Sequence, residues 1–95
     1  MSYEEFLGTL SDTVPPEFSN EILRALWYEA RGDWEQAHEI AQEKEGTKAY
    51  DRLHAYLHRV EGDEWNAGYW YRRSGAPMPG VPFKEEWAEL VKTHL

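Results

Sequence analysis

The chain has 95 residues, a formal net charge of −8, five Trp and six Tyr, and no Cys. This length is that of one small domain, and the lack of Cys excludes disulfides, thiolate metal ligands and a Cys nucleophile. Residues 1–45 carry 11 acidic and 3 basic side chains and residues 46–95 carry 7 of each, so we expect no nucleic-acid partner. We also expect no membrane span and no signal peptide, and therefore a cytoplasmic protein.

Helix signals follow one another along the chain, and no segment predicts a strand. Ser2 and Glu5 form a capping box that starts a short helix over about residues 3–10, before the break at Pro15-Pro16. Apolar residues at helical spacing then predict five more helices. They run from Ser19 to the break at Gly32, from Trp34 to Glu45, from Thr47 to the break at Gly62, from Glu64 to Ser74 and, after the Pro/Gly loop 75–82, from Phe83 to His94.

The last helix is predicted to be amphipathic. Its apolar side consists of Phe83, Trp87, Leu90 and Val91. Glu85 and Glu86 stand in its first turn, where acidic side chains suit the positive end of the helix dipole. The chain as a whole is predicted to be all-α.

The sequence repeats itself at a spacing of 30 residues. Gly32-Asp33 aligns with Gly62-Asp63, Ala37 aligns with Ala67, and the apolar stripes superimpose. Each copy is predicted to be a helical hairpin in which glycine ends one helix and aspartate caps the next. We expect a single domain, 1–95, with two stacked helix-turn-helix hairpins at about 19–45 and 47–75. The short N-terminal helix and the C-terminal helix would cover the ends of the stack, unless the protein dimerises.

The hairpin centres GDWEQA (32–37) and GDEWNA (62–67) resemble those of tetratricopeptide and related helical repeats. Pro79 stands where such a repeat ends, and the resemblance covers about residues 20–79. The run from His54 to Gly75 is also similar to that of small bacterial proteins of uncharacterised activity. These resemblances imply stacked helical hairpins in a cytoplasmic bacterial protein, and they imply no particular activity.

One face of the fourth helix gathers side chains that could carry chemistry. Within an arc of about 80° it holds Asp51, His54, His58 and Glu61. Two imidazoles one turn apart suit a divalent metal, with His38 or His94 as a third ligand from another element. The same face suits general acid–base catalysis or a polar ligand. A purely structural alternative is that both histidines hydrogen-bond to neighbouring carboxylates or tyrosines.

The fifth helix carries a second candidate. Trp70 and Tyr71 are predicted to face the core. On an adjoining face lie Trp65, Tyr69, Arg72 and Arg73, at i, i+4, i+7 and i+8. Aromatic rings beside arginines favour cation–π contacts, carboxylate capture or an interface anchor. The alternative is that the arginines pair with the acidic half of the chain.

The function that the sequence favours is a protein–protein interaction or self-association module without a cofactor or catalytic activity. Its interface would consist of Glu61, Trp65, Tyr69, Arg72 and Arg73, and its partner would be a protein, a peptide or a second copy. The alternative is a polar-ligand- or metal-binding protein, or an enzyme, that uses His54, His58 and Asp51.

Overall fold

The computed structural model describes residues 1–95 as six helices without strands, which confirms the all-α prediction. The helices are α1 (Tyr3–Thr9), α2 (Glu21–Ala30), α3 (Trp34–Gln42), α4 (Lys48–Val60), α5 (Glu64–Ser74) and α6 (Phe83–His94). None of them is both long and apolar enough to cross a membrane. α3 ends earlier than predicted because Glu43 N–H donates to Ile40 O, an i→i−3 bond that tightens the last turn.

α2 and α3 form one hairpin and α4 and α5 form another, with turns of the same construction. Both turns contain a glycine at positive φ, 85° at Gly32 and 87° at Gly62, which an L side chain rarely adopts. The following aspartates accept hydrogen bonds from the backbone amides of Gln36 and Asn66. Ala37 and Ala67 are fully buried, as a close helix–helix approach requires. The matching turns agree with the predicted repeat.

α4 lies at the centre of the molecule and contacts α2, α3, α5 and α6. Eight of its 13 residues are buried, including Asp51, His54 and His58, so three of the four residues of the predicted polar face lie inside the protein, whereas Glu61 is exposed. α6 closes the bundle against α2 and α4 with Leu90 and Val91. α1 adds Phe6, which is 0% exposed and contacts the ring of Trp87 at a centroid distance of 5.9 Å.

Two residues of α6 have a burial that the sequence pattern did not indicate. Phe83 is 41% exposed, and Glu86 is 0% exposed. Glu86 stands four residues before Leu90, on the same side of the helix, and this spacing turns it into the core. Its burial is possible because Tyr71, Arg52 and Arg59 all donate to its carboxylate.

Candidate metal centre

Three histidines meet where α3 packs against α4. One ring nitrogen of each of His38, His54 and His58 lies within 4.8 Å of the other two. His54 and His58 are one turn apart on α4, with ring centroids separated by 5.0 Å. The ring of His38, on α3, lies 4.7 Å from that of His54 and 5.3 Å from that of His58. Of the two histidines that the sequence offered as a third ligand, His38 is therefore the one that lies beside this pair.

The hydrogen bonds of the cluster leave one imidazole nitrogen without a partner. His38 Nε2 and His54 Nε2 are 2.9 Å apart, so one of them donates to the other. His54 Nδ1 is buried and has no hydrogen-bond partner, an arrangement that costs free energy in a protein interior. His58 Nδ1 lies 2.6 Å from Glu61 Oε1 and donates to it, which leaves the lone pair of His58 on Nε2.

Two tryptophans enclose the histidines. The Trp34 ring stacks on His38 at a centroid distance of 4.6 Å, and the Trp70 ring stacks on His54 at 3.9 Å. Trp34 Nε1 donates to Leu57 O at 2.7 Å, which fixes its indole against α4. Neither tryptophan was expected at this site. The i, i+4 spacing of Trp34 and His38 was the available signal, whereas the contact of Trp70 with His54 depends on how α5 packs on α4.

The electrostatic environment favours the neutral form of two of the three imidazoles, those of His54 and His38. Burial is the main cause that lowers the pKa of His54 to about 4, and the nearby His38 and His58 contribute to the same shift. Burial also lowers the pKa of His38. Both side chains are therefore in the neutral form at physiological pH, which is the form that coordinates a metal ion.

The two predicted carboxylates lie in different places. Glu61 joins the cluster through His58, whereas Asp51 lies outside it although its side chain is buried. Asp51 Oδ1 accepts from the Gly46 amide at 3.0 Å, and Oδ2 lies 3.8 Å from Arg73 Nε. Asp51 therefore stabilises the turn between α3 and α4, and it is not among the groups close enough to share an ion with the histidines.

The second candidate surface lies on the outside of α5. Trp65 is 78% exposed and Tyr69 is 38% exposed. Arg73 donates to Tyr69 Oη at 3.0 Å, and its guanidinium lies 5.1 Å from the centroid of the Trp70 ring. Arg72 has no ion pair and lines an open cleft of about 500 Å³ together with Met78. Of the predicted interface residues, these four lie on the same helix as expected, and Glu61 belongs to the histidine cluster.

The donor set determines what the histidine cluster can bind. Imidazoles suit Zn²⁺, Cu²⁺ and Ni²⁺, whereas Mg²⁺ and Ca²⁺ prefer oxygen ligands. Three histidines leave a fourth position of a tetrahedral ion for water or another ligand. No family model, curated protein or solved structure matches the chain. The chemistry of its own residues is therefore the basis for a functional proposal.

Proposed function

We propose that the protein binds one divalent transition-metal ion, with Zn²⁺ as the first candidate, through His38, His54 and His58. The observation that carries this proposal is the convergence of three imidazole nitrogens from two helices to within 4.8 Å. Metal binding would link α3 to α4.

The distances are compatible with such an ion after small side-chain movements. Bonds of about 2.1 Å in a tetrahedral arrangement place ligand nitrogens about 3.4 Å apart. The separation of 2.9 Å between His38 Nε2 and His54 Nε2 is slightly shorter than this. Glu61 would act as a positioning residue, because its hydrogen bond to His58 Nδ1 directs Nε2 of the same ring toward the ion.

Calorimetric titration of the tag-free, chelator-stripped protein should show one Zn²⁺ ion bound per chain and a raised Tm. Replacing His38 or His58 with Gln removes one of three ligands, so each change should weaken the affinity by at least about 100-fold, whereas E61Q should cost about 10-fold to 100-fold. Co²⁺ should give a visible absorption spectrum of a tetrahedral site in the wild type and not in H38Q.

The fourth histidine supplies a matched control. His94 lies on α6 and interacts with Asn20, outside the cluster. H94Q should therefore bind Zn²⁺ like the wild type. Equal losses in H94Q and H38Q, or no loss in H38Q and H58Q, would contradict the proposed site, and so would a wild type that is indifferent to Zn²⁺, Ni²⁺ and Cu²⁺.

We also propose that the protein self-associates through the exposed side of α5. In this proposal it is a cytoplasmic bacterial protein whose two hairpins form a shortened tetratricopeptide-like repeat. The observation in favour is that Trp65, a residue type that dominates interface energies, is 78% exposed. Charge complementarity favours a second copy as the partner. Residues 1–45 hold eight more acidic than basic side chains, and Arg72 on α5 has no ion pair of its own.

Sedimentation velocity over a range of concentrations should reveal dimers. The affinity of dimerisation should be lower at about 500 mM than at about 50 mM NaCl, because salt screens exposed charges. The double change W65A/R72A should raise the dissociation constant at least about 30-fold, the effect of losing one hot spot. The control is F83A/K84A, which removes an exposed aromatic side chain and an exposed cation from α6 instead of α5 and should leave the dissociation constant unchanged. A wild type that stays monomeric at high concentration, or equal effects of the two double variants, would exclude this interface.

A further inference from the structure

A cleft of about 420 Å³ opens where α1, α2, α4 and α6 meet. Most of its wall is apolar, and Leu7 and Phe83 remain 39% and 41% exposed. Its volume falls within the roughly 300–1,000 Å³ that is usual for small-molecule sites. None of the three clustered histidines lines it, so the cleft is separate from the candidate metal centre. Its aromatic residues are Tyr3, Tyr56, Phe83 and Trp87.

Glu29 is the one acidic side chain in this wall. Tyr56, which is 1% exposed, donates its hydroxyl to Glu29 Oε1 at 2.9 Å and so fixes the orientation of the carboxylate. Glu29 Oε2 accepts no hydrogen bond from the protein. Burial raises the pKa of Glu29, because the carboxylate loses hydration among apolar side chains. A cation beside Oε2 would offset that loss.

The aromatic wall is suited to the same charge. Aromatic faces attract ammonium groups, and several rings around a cation are a common way to recognise organic ammonium compounds. The Trp87 ring is held in place because its Nε1 donates to Leu26 O at 3.1 Å. Tyr3 already takes part in a cation–π contact, with Lys92 Nζ 4.7 Å from its ring centroid. Lys84 also lines the cleft, but it is exposed, so water screens its positive charge.

We propose that this cleft binds a small organic ammonium compound, with its ammonium group paired to Glu29 and its apolar body against Leu7, Phe83 and Trp87. The carboxylate of Glu29 and the nearby aromatic rings would recognise the charge, and the apolar side chains of the wall would contact the hydrocarbon part. Neither the metal centre nor the α5 surface is needed for this binding.

Three probes of nearly equal shape separate the contributions. They are 2-phenylethylamine, which is cationic, 2-phenylethanol, which is neutral, and phenylacetate, which is anionic. Calorimetry and two-dimensional NMR of the full-length protein should show that the amine binds with a Kd below about 1 mM, at least 10-fold tighter than the other two. The amide signals of Leu7 and Phe83 and the indole signal of Trp87 should shift.

Variants then test the residues. E29Q keeps an acceptor for Tyr56 but removes the charge, so it should lower the affinity for the amine to that for the alcohol. L7A should weaken the amine and the alcohol alike. E85Q changes an exposed carboxylate outside the cleft and should leave all three affinities unchanged. Equal binding of the amine and the alcohol to the wild type, tighter binding of phenylacetate, or no binding of any probe would overturn the proposal.

Discussion

Glu86 shows how one buried charge is stabilised in this small core. Its carboxylate accepts from Tyr71 Oη at 2.7 and 2.8 Å, from Arg59 Nη1 at 2.8 Å and from Arg52 Nε at 3.3 Å. The carboxylate is 0% exposed, while the two arginine side chains keep 16% and 25% of their exposure. The arginines therefore hold their charge near water, and the phenol completes the hydrogen bonding of the carboxylate inside.

E86Q should destabilise the protein by about 3 kcal/mol, because it leaves the two arginines facing an uncharged group in a mostly buried site. This is the lower part of the usual range for a broken buried ion pair, since both arginines remain partly hydrated. Urea unfolding followed by circular dichroism would measure the change. E85Q, at the adjacent exposed position, is the control, and an equal effect of the two substitutions would contradict this account.

At the scale of elements, the end of α6 is joined to the start of α2 by a pair of side chains. Asn20 caps α2 by accepting from the Ile22 amide through Oδ1 at 2.9 Å, so its Nδ2 points toward His94. Nδ2 donates to His94 Nδ1, which lies 3.0 Å away, and this requires a neutral imidazole with its proton on Nε2. Burial also favours the neutral ring and lowers the pKa of His94.

The stability of the fold should therefore fall as the pH falls through the ordinary histidine pKa of 6.5, because the unfolded chain then binds a proton that the folded His94 resists. H94Q retains a polar side chain that cannot titrate. Urea midpoints measured from about pH 8 to about pH 5 should decrease less in H94Q than in the wild type. Parallel curves for the two proteins would show that His94 does not contribute to acid sensitivity.

At the scale of the whole molecule, two hairpins alone are fewer than the three or more repeats that usually make a stable stack. α6 supplies the missing cover by packing against α2 and α4. α1 contributes chiefly through Phe6, which lies in the main core and contacts the rings of Phe18 and Trp87. This arrangement also creates the ammonium-binding cleft that we propose, because α1 and α6 meet there without burying Leu7 and Phe83.

Local sequence signals were sufficient for the helices and their turns. The bounds of α5 and α6 agree with the prediction, because aspartate caps, glycines and prolines act over a few residues. Periodicity also placed His54 and His58 on one face of α4 and named His38 as one of two possible third ligands. It could not choose His38 over His94, because that choice depends on the packing of α3 and α6 around α4.

The sequence by itself determined an all-α chain with a repeated helical hairpin and two histidines one turn apart. Only the tertiary structure decided which side chains from different helices meet. Asp51 binds the turn at Gly46, and Glu86 lies in the core. Trp34 and Trp70 stack on two of the histidines. The physical reason is the distance along the chain over which each interaction acts. Capping and helical periodicity depend on residues a few positions apart, whereas a site shared by three helices depends on packing between residues that are distant in sequence.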